Sequence, residues 1–220
     1  MKDLTLLYYS SSRVPEFFGH NVREHLMETT GRQLPVISVT HKPLAFGINI
    51  CVGEIEVDAY NVYKQILIGA REAKTDYIAC CEDDSLYTME HLSFRPPLDH
   101  FAYNVGRWNV DRRGAFFHRH RRGMCACIVG REYLIETLEK RFVKYPEHIL
   151  VPGFGEPGRY EYRLGLPPVN IMDFKTTDPP LTFSHRHGMG GMRRIMERDI
   201  VVHSLPYWGN ARDLWDRIHG

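Results

Sequence analysis

Apolar runs and polar punctuation alternate regularly through the first half of the chain. Leu4-Thr5-Leu6-Leu7-Tyr8-Tyr9 is a β-type run that gives way to Ser10-Ser11-Ser12-Arg13. Pro15 fits a first helical position, Phe18, Val22 and Leu26 recur at helical spacing, and Gly31 can close the helix. Pro35 to Thr40 predicts a second strand, ended by His41-Lys42-Pro43, and Gly47 to Gly53 a connecting loop or short strand. Asp58 can cap a helix whose stripe is Val62, Ile66, Ala70 and Ala73. That helix leads into Tyr77-Ile78-Ala79-Cys80-Cys81-Glu82-Asp83-Asp84, an apolar run ending in three acids, which suits a strand buried on both faces. The alternation argues an α/β fold: a mostly parallel, Rossmann-related sheet flanked by helices, with right-handed crossovers.

The second half is less regular. Phe101 to Val105 predicts a strand, Arg107 to Arg122 is a basic stretch with interleaved aromatics, and Met124 to Val129 predicts another strand. Arg131 opens a helix with the stripe Leu134, Leu138 and Phe142. Pro152 to Arg163 is too rich in Gly and Pro to begin as regular structure. Val169 to Phe174 predicts a strand, Ser184 to Gly191 a loop carrying His185 and His187, and Asn210 to Ile218 a terminal helix.

Composition narrows the class. A chain of 220 residues, 43% hydrophobic and 25% charged, can bury one sizeable core, so a single domain over 1–220 is expected, with two small domains as the alternative, and a disordered chain is excluded. The formal net charge of +1 leaves both nucleic acid and small anions open as partners, because local distribution matters more than the sum. The N-terminal flank does not read as a signal peptide, and no apolar run reaches membrane-spanning length. A soluble, cytoplasmic protein without a membrane partner is expected. The five cysteines read as buried reduced thiols, with Cys125 and Cys127, on one strand face, as the pair open to a zinc or disulfide alternative.

Three carboxylates at the C-terminal end of a strand sit where open α/β sheets bind ligands. Close carboxylates repel one another unless a cation joins them, and Mn²⁺ or Mg²⁺ takes such oxygens while drawing the rest of its shell from substrate phosphates. A solvated acidic turn is the plainer alternative.

The order of these parts, from the hydroxyl-bearing end of the first strand through Glu82-Asp83-Asp84 to Met124-Cys125-Ala126-Cys127-Ile128-Val129-Gly130-Arg131-Glu132, resembles the nucleotide-sugar glycosyltransferases of the GT-A fold. The resemblance implies a divalent metal and a nucleoside-diphosphate sugar, UDP-sugar first, as donor. Under it Asp84 is a direct metal ligand, Glu82 binds through water or contacts the ribose, and Asp83 orients the strand end beside the nucleotide. A histidine near the C-terminal end often completes the metal shell in that family, which makes His185 and His187 candidates. Ser10, Arg13 and Asp58 are further candidates for nucleotide contact, and Arg193, with Arg194, for closing over the phosphates. Gly155-Glu156 lies where the family places its catalytic base. The usual Glu-Asp pair is absent, since Pro157 follows Glu156, and the base stays open between Glu156 and Glu161. An inverting mechanism is implied if either faces the sugar, a retaining one otherwise.

Arg107 to Arg122 carries six arginines against one aspartate. Phosphate neutralisation by Arg112, Arg113, Arg119, Arg121 and Arg122, with base stacking by Trp108 and Phe117, would suit a nucleic-acid acceptor, and a charged surface hairpin is the alternative. Compact size and this stretch together resemble phage-type, TET-associated glycosyltransferases that modify 5-hydroxymethyl pyrimidines in DNA, which would make the protein phage-encoded and active in the host cell. A saccharide-directed transferase, a nucleotidyltransferase using the acids for Mg²⁺, and a catalytically silent nucleic-acid-binding module are the competing readings.

Overall fold

The computed structural model describes residues 3–147, 154–187 and 195–220. In chain order the elements are β1 (Leu4–Ser10), α1 (Glu16–Thr29), β2 (Val36–Thr40), β3 (Ile48–Cys51), α2 (Ala59–Glu72), β4 (Tyr77–Glu82), β5 (Ser85–Leu86), α3 (Met89–Leu92), β6 (Phe101–Asn104), β7 (Trp108–Asp111) and β8 (Ala115–His118). They continue with β9 (Cys127–Gly130), α4 (Arg131–Lys144), β10 (Ile171–Phe174), β11 (Leu181–Ser184), β12 (Ile200–Val202), β13 (Ser204–Leu205), β14 (Gly209–Asn210) and α5 (Ala211–His219). The helix starts follow local chemistry: Asp58 caps α2 by accepting the Asn61 amide at 2.9 Å, and Asn210 accepts amides of Arg212 and Asp213 at the start of α5.

Seven strands form the main sheet in the order β10-β6-β9-β4-β1-β2-β3, in which β9 runs antiparallel to both neighbours and the other pairs are parallel. Side-chain alternation sorts each central strand between two cores. Leu7, Tyr9, Ile78 and Cys80 pack with α2 and α4, while Leu6, Tyr8, Ala79 and Cys81 pack with Leu26 of α1 and Leu92 of α3. β4 is therefore buried on both faces, as its unbroken apolar run predicts. Gly130, between β9 and α4, has no room for a side chain, because a Cβ there would lie 2.0 Å from the Leu98 carbonyl oxygen.

A second sheet, in the order β12-β8-β7-β11-β5, comes largely from segments without a clear strand pattern in the sequence. Val110, Phe116, Leu181 and Phe183 of this sheet pack with Phe18 and Val22 of α1 and with Leu214 and Ile218 of α5. Helix α1 thus packs on one face of the main sheet through Leu26 and on the second sheet through Phe18 and Val22. The basic stretch is the β7–β8 hairpin of this sheet, its turn fixed by Asp111, whose Oδ1 accepts the Arg113 amide at 3.0 Å, and by Gly114 at φ 77°. Two expectations change here: Met124 opens a single 3-10 turn, with the strand starting at Cys127, and the hairpin is an internal part of a sheet. Among the described residues no helix is long and apolar enough to cross a membrane.

Candidate active site

The C-terminal end of β4 opens into a cleft of about 310 Å³ walled by both sheets. Each acid there has a neighbour that fixes it. Tyr9 donates its hydroxyl to Glu82 Oε1 at 2.9 Å, Ser10 donates to Asp83 Oδ2, and Ser85 donates to Asp84 Oδ1 at 3.1 Å. From the second sheet, the Phe183 amide donates to the Asp84 carbonyl at 2.8 Å, and His185, just beyond β11, brings Nε2 to 3.2 Å from Asp84 Oδ2. Burial first, and then the charge of Asp84, push the Glu82 carboxyl up to about 8 and that of Asp83 up to about 6. For His185 burial works against the charged ring, but the Asp84 hydrogen bond and the charges of Asp84, Asp83 and Glu82 outweigh it and raise the pKa.

This donor set fits a divalent cation. Asp84 Oδ2 and His185 Nε2 converge on one point of the cleft, and a carboxylate with an imidazole suits Mn²⁺ better than Mg²⁺. Among the described residues no group of three His, Cys, Asp or Glu side chains is placed to hold a metal ion, so a cation on Asp84 and His185 would need further oxygens from phosphate or water. The His187 amide donates to His185 Nδ1 at 3.2 Å, which places the proton of the neutral ring on Nε2; to hold a cation through Nε2 the ring would have to carry its proton on Nδ1 instead.

Guanidinium groups also line the cleft. Arg107, just before β7 and 3% exposed, donates from Nη1 to Asn109 at 3.2 Å and to Thr182 at 2.9 Å, and its Nε has no hydrogen-bond partner among the described residues. Thr182 Oγ1 lies 3.1 Å from Ser85 Oγ, so a chain of hydroxyls links this guanidinium to Asp84. Arg119 forks onto Asp199, Arg122 onto Asp173, and Arg121 lies 4.0 Å from Glu156.

The structure redistributes the residues singled out in the sequence. Glu82, Asp83, Asp84, His185, His187, Ser10, Glu156, Arg119, Arg121 and Arg122 all border the cleft. Asp58 does not, because its carboxylate caps α2. Arg13 reaches the carbonyl of His187 at 3.4 Å, and Arg193 and Arg194 lie outside the described residues. Glu161 is turned away from the cleft: it is 5% exposed, bonded to the fully buried Arg141, and accepts the Gly158 amide at 2.6 Å. Phe117 is fully buried and its ring is unavailable to a base, and Trp108 packs partly buried against the core of the second sheet. Arg112 and Arg113 occupy the tip of the hairpin, about 13 Å from its cleft end for four residues of strand. Arg107, Tyr9 and Gln65 are cleft residues that sequence reasoning passed over. The one available signal was the position of Arg107 at the end of the basic stretch nearest the predicted strand Phe101 to Val105.

No family model matches the chain, and no curated protein matches it in sequence. Among solved structures, a glycosyltransferase involved in the glycosylation of the major capsid of PBCV-1 is similar with a TM-score of 0.52 at 11% identity, covering 81% of this chain and 91% of its own. A Drosophila β-1,4-galactosyltransferase 7 variant, in complex with manganese, UDP-Gal and xylobiose, gives 0.46 at 14% identity over 90% of this chain and 78% of its own. A putative nucleotide-diphospho-sugar transferase from Desulfovibrio desulfuricans G20 gives 0.37 at 7% identity, with 80% of each chain covered. The first of these likenesses establishes a shared fold: a mostly parallel α/β sheet flanked by helices, of the GT-A type.

Proposed function

We propose that the protein is a metal-dependent glycosyltransferase that moves a sugar from a nucleoside-diphosphate sugar, UDP-sugar first, to an acceptor hydroxyl. The observation that carries this is the meeting of Asp84, in the turn from β4 into β5, and His185, just beyond the neighbouring strand β11, 3.2 Å apart in a cleft that is also lined by the buried guanidinium of Arg107. Asp84 and His185 would hold Mn²⁺, or Mg²⁺, with Glu82 reaching it through water. Bound there, the cation supplies Lewis acidity to the departing diphosphate. Arg107 adds a fixed positive charge in a site shielded from water, where charge stabilisation is strongest. Tyr9 and Ser10 hold Glu82 and Asp83 against mutual repulsion, and Ser11 and Gln65 border the space open to the nucleotide.

Glu156 is the proposed general base of an inverting transfer. It borders the cleft with its side chain 14% exposed, and Arg159 at 3.3 Å holds it. Glu161, committed to Arg141, keeps the adjoining loop in shape. For the acceptor we favour the hydroxymethyl group of a 5-hydroxymethyl pyrimidine in DNA, supported by the arginines at the cleft mouth and acting in the cytoplasm of the host, as the resemblance to phage enzymes implies. A silent nucleic-acid-binding module would have no use for the Asp84–His185 convergence.

The test is a thermal-shift and turnover series with UDP-sugars and Mn²⁺. Wild type should be stabilised by about 2.7 kcal/mol at a hundred times the dissociation constant. Asp84→Asn and His185→Gln should stay folded and lose most of that shift. A metal-independent shift of equal size in both variants would remove the metal site from the reading.

A further inference from the structure

Beside the acid cleft lies a second hollow of about 740 Å³, bordered by the segment His118 to Arg121, by Arg159, and by Met196 with Arg198 to Ile200. The two spaces share Arg119 and Arg121. None of the three acids of the β4 end borders the hollow, nor do His185 and Arg107, so the donor's diphosphate, which belongs with the metal, is not its ligand.

Among the described residues the hollow has more cations than its anions can cover. Asp199 is already spent: its two oxygens take the Arg119 fork at 3.0 and 2.5 Å, and Oδ2 also accepts the Met196 amide at 2.9 Å. That arrangement fixes the Arg119 guanidinium in place. Arg121 and Arg159 share one carboxylate, Glu156, at 4.0 and 3.3 Å, and Arg198 brings a fourth guanidinium. Two carboxylates thus serve four guanidiniums, leaving two positive charges over even with His118 and His120 neutral. Guanidinium forks of this kind match the oxygens of a phosphate.

We propose that the hollow binds a phosphate group of the acceptor and so turns the acceptor's hydroxyl toward Glu156, which joins the hollow to the cleft through Arg121 and Arg159. The inference rests on the glycosyltransferase reading and narrows its acceptor to phosphate-bearing molecules. It also divides the basic stretch: the residues that leave β8 face the acceptor, while Arg112 and Arg113 at the hairpin tip do not.

Binding of a 5-hydroxymethylcytosine duplex and of 5-hydroxymethyl-deoxycytidine monophosphate is measured by anisotropy and calorimetry across about 50 to 200 mM salt. Three proteins are compared: wild type, Arg159→Ala/Arg198→Ala, and Arg112→Ala/Arg113→Ala. Each backbone phosphate that is no longer neutralised lowers the slope of log affinity against log salt by about 0.9. The Arg159/Arg198 variant should lose about one such unit and about tenfold in affinity, while the hairpin-tip variant binds as wild type. If the duplex is retained by wild type and released by the variant, the phosphate is that of a backbone; if only the monophosphate behaves so, it is that of a small acceptor. Unchanged binding in the Arg159/Arg198 variant, weakened binding in the hairpin-tip variant instead, or no binding of either ligand by wild type overturns the proposal. The UDP–Mn²⁺ thermal shift is recorded on the same samples, and its absence from wild type would count against the glycosyltransferase reading and not against the hollow.

Discussion

Replacing Glu161 by glutamine removes one charge from a pair that water does not reach. The Arg141 side chain is fully buried and that of Glu161 is 5% exposed. Arg141 donates Nη1 to the Gly155 carbonyl at 2.7 Å, and its guanidinium lies 5.4 and 5.5 Å from the ring centres of Tyr63 and Phe154. Without its carboxylate the guanidinium would be left as an uncompensated charge among aromatic rings, which costs about 3–5 kcal/mol. For a chain of this length each kcal/mol moves the melting temperature by about 2–4 °C, so Glu161→Gln should melt about 10 °C lower. Thermal or denaturant unfolding measures this directly. The double replacement Arg141→Met/Glu161→Met should recover part of the loss, because it removes the uncompensated charge while the Gly155 carbonyl and the Gly158 amide lose their side-chain partners. A Glu161→Gln protein that melts within about 2 °C of wild type but fails to transfer sugar would refute the structural assignment and make Glu161 the base.

Glu156→Gln, by contrast, should lower transfer about a hundredfold with donor binding and melting temperature retained, measured by turnover and thermal shift on the same samples. His91 is fully buried, stacked on Phe174, and burial holds its pKa down at about 3, so between pH 3 and 6.5 the unfolded chain binds the extra proton and stability falls as the pH drops through that window. Its share at pH 5 is about 2 kcal/mol, and His91→Gln should remove that much of the acid sensitivity in denaturant titrations at pH 7.5 and 5. Gly130→Ala should destabilise by about 1–3 kcal/mol in the same assay, because its methyl group meets the Leu98 backbone at 2.0 Å.

The first half of the fold was readable because each element carries its own periodicity and its own boundary. β4 is apolar without a break since both its faces are covered, and Asp58 marks the start of α2 by what its side chain bonds. The second sheet was hidden for the opposite reason. β5 has two residues and β12 three, too few to show alternation, and they are strands only because β11 and β8 pair with them. The site followed the same division. Glu82, Asp83 and Asp84 announce themselves by clustering at a strand end, and His185 by lying in a loop after an apolar run. Arg107 reads as one more member of a basic stretch, and its burial depends on β7 lying beside β11, a pairing across more than seventy residues. Glu161 and Phe117 misled for a related reason, since a carboxylate between tyrosines and a ring in a basic stretch both look exposed until the Arg141 partner of the one and the burial of the other in β8 are known.

Asp84 and His185 are separated by 101 positions in the chain. During synthesis the acids therefore emerge well before the residue that would share their cation, and at about 5–20 residues per second the interval is several seconds long. Through that interval the nascent protein holds three close carboxylates with no histidine opposite them. In the proposed metal site, ion capture would become strong only when β11 has docked between β5 and β7, so a bound metal would report that this part of the second sheet has been completed.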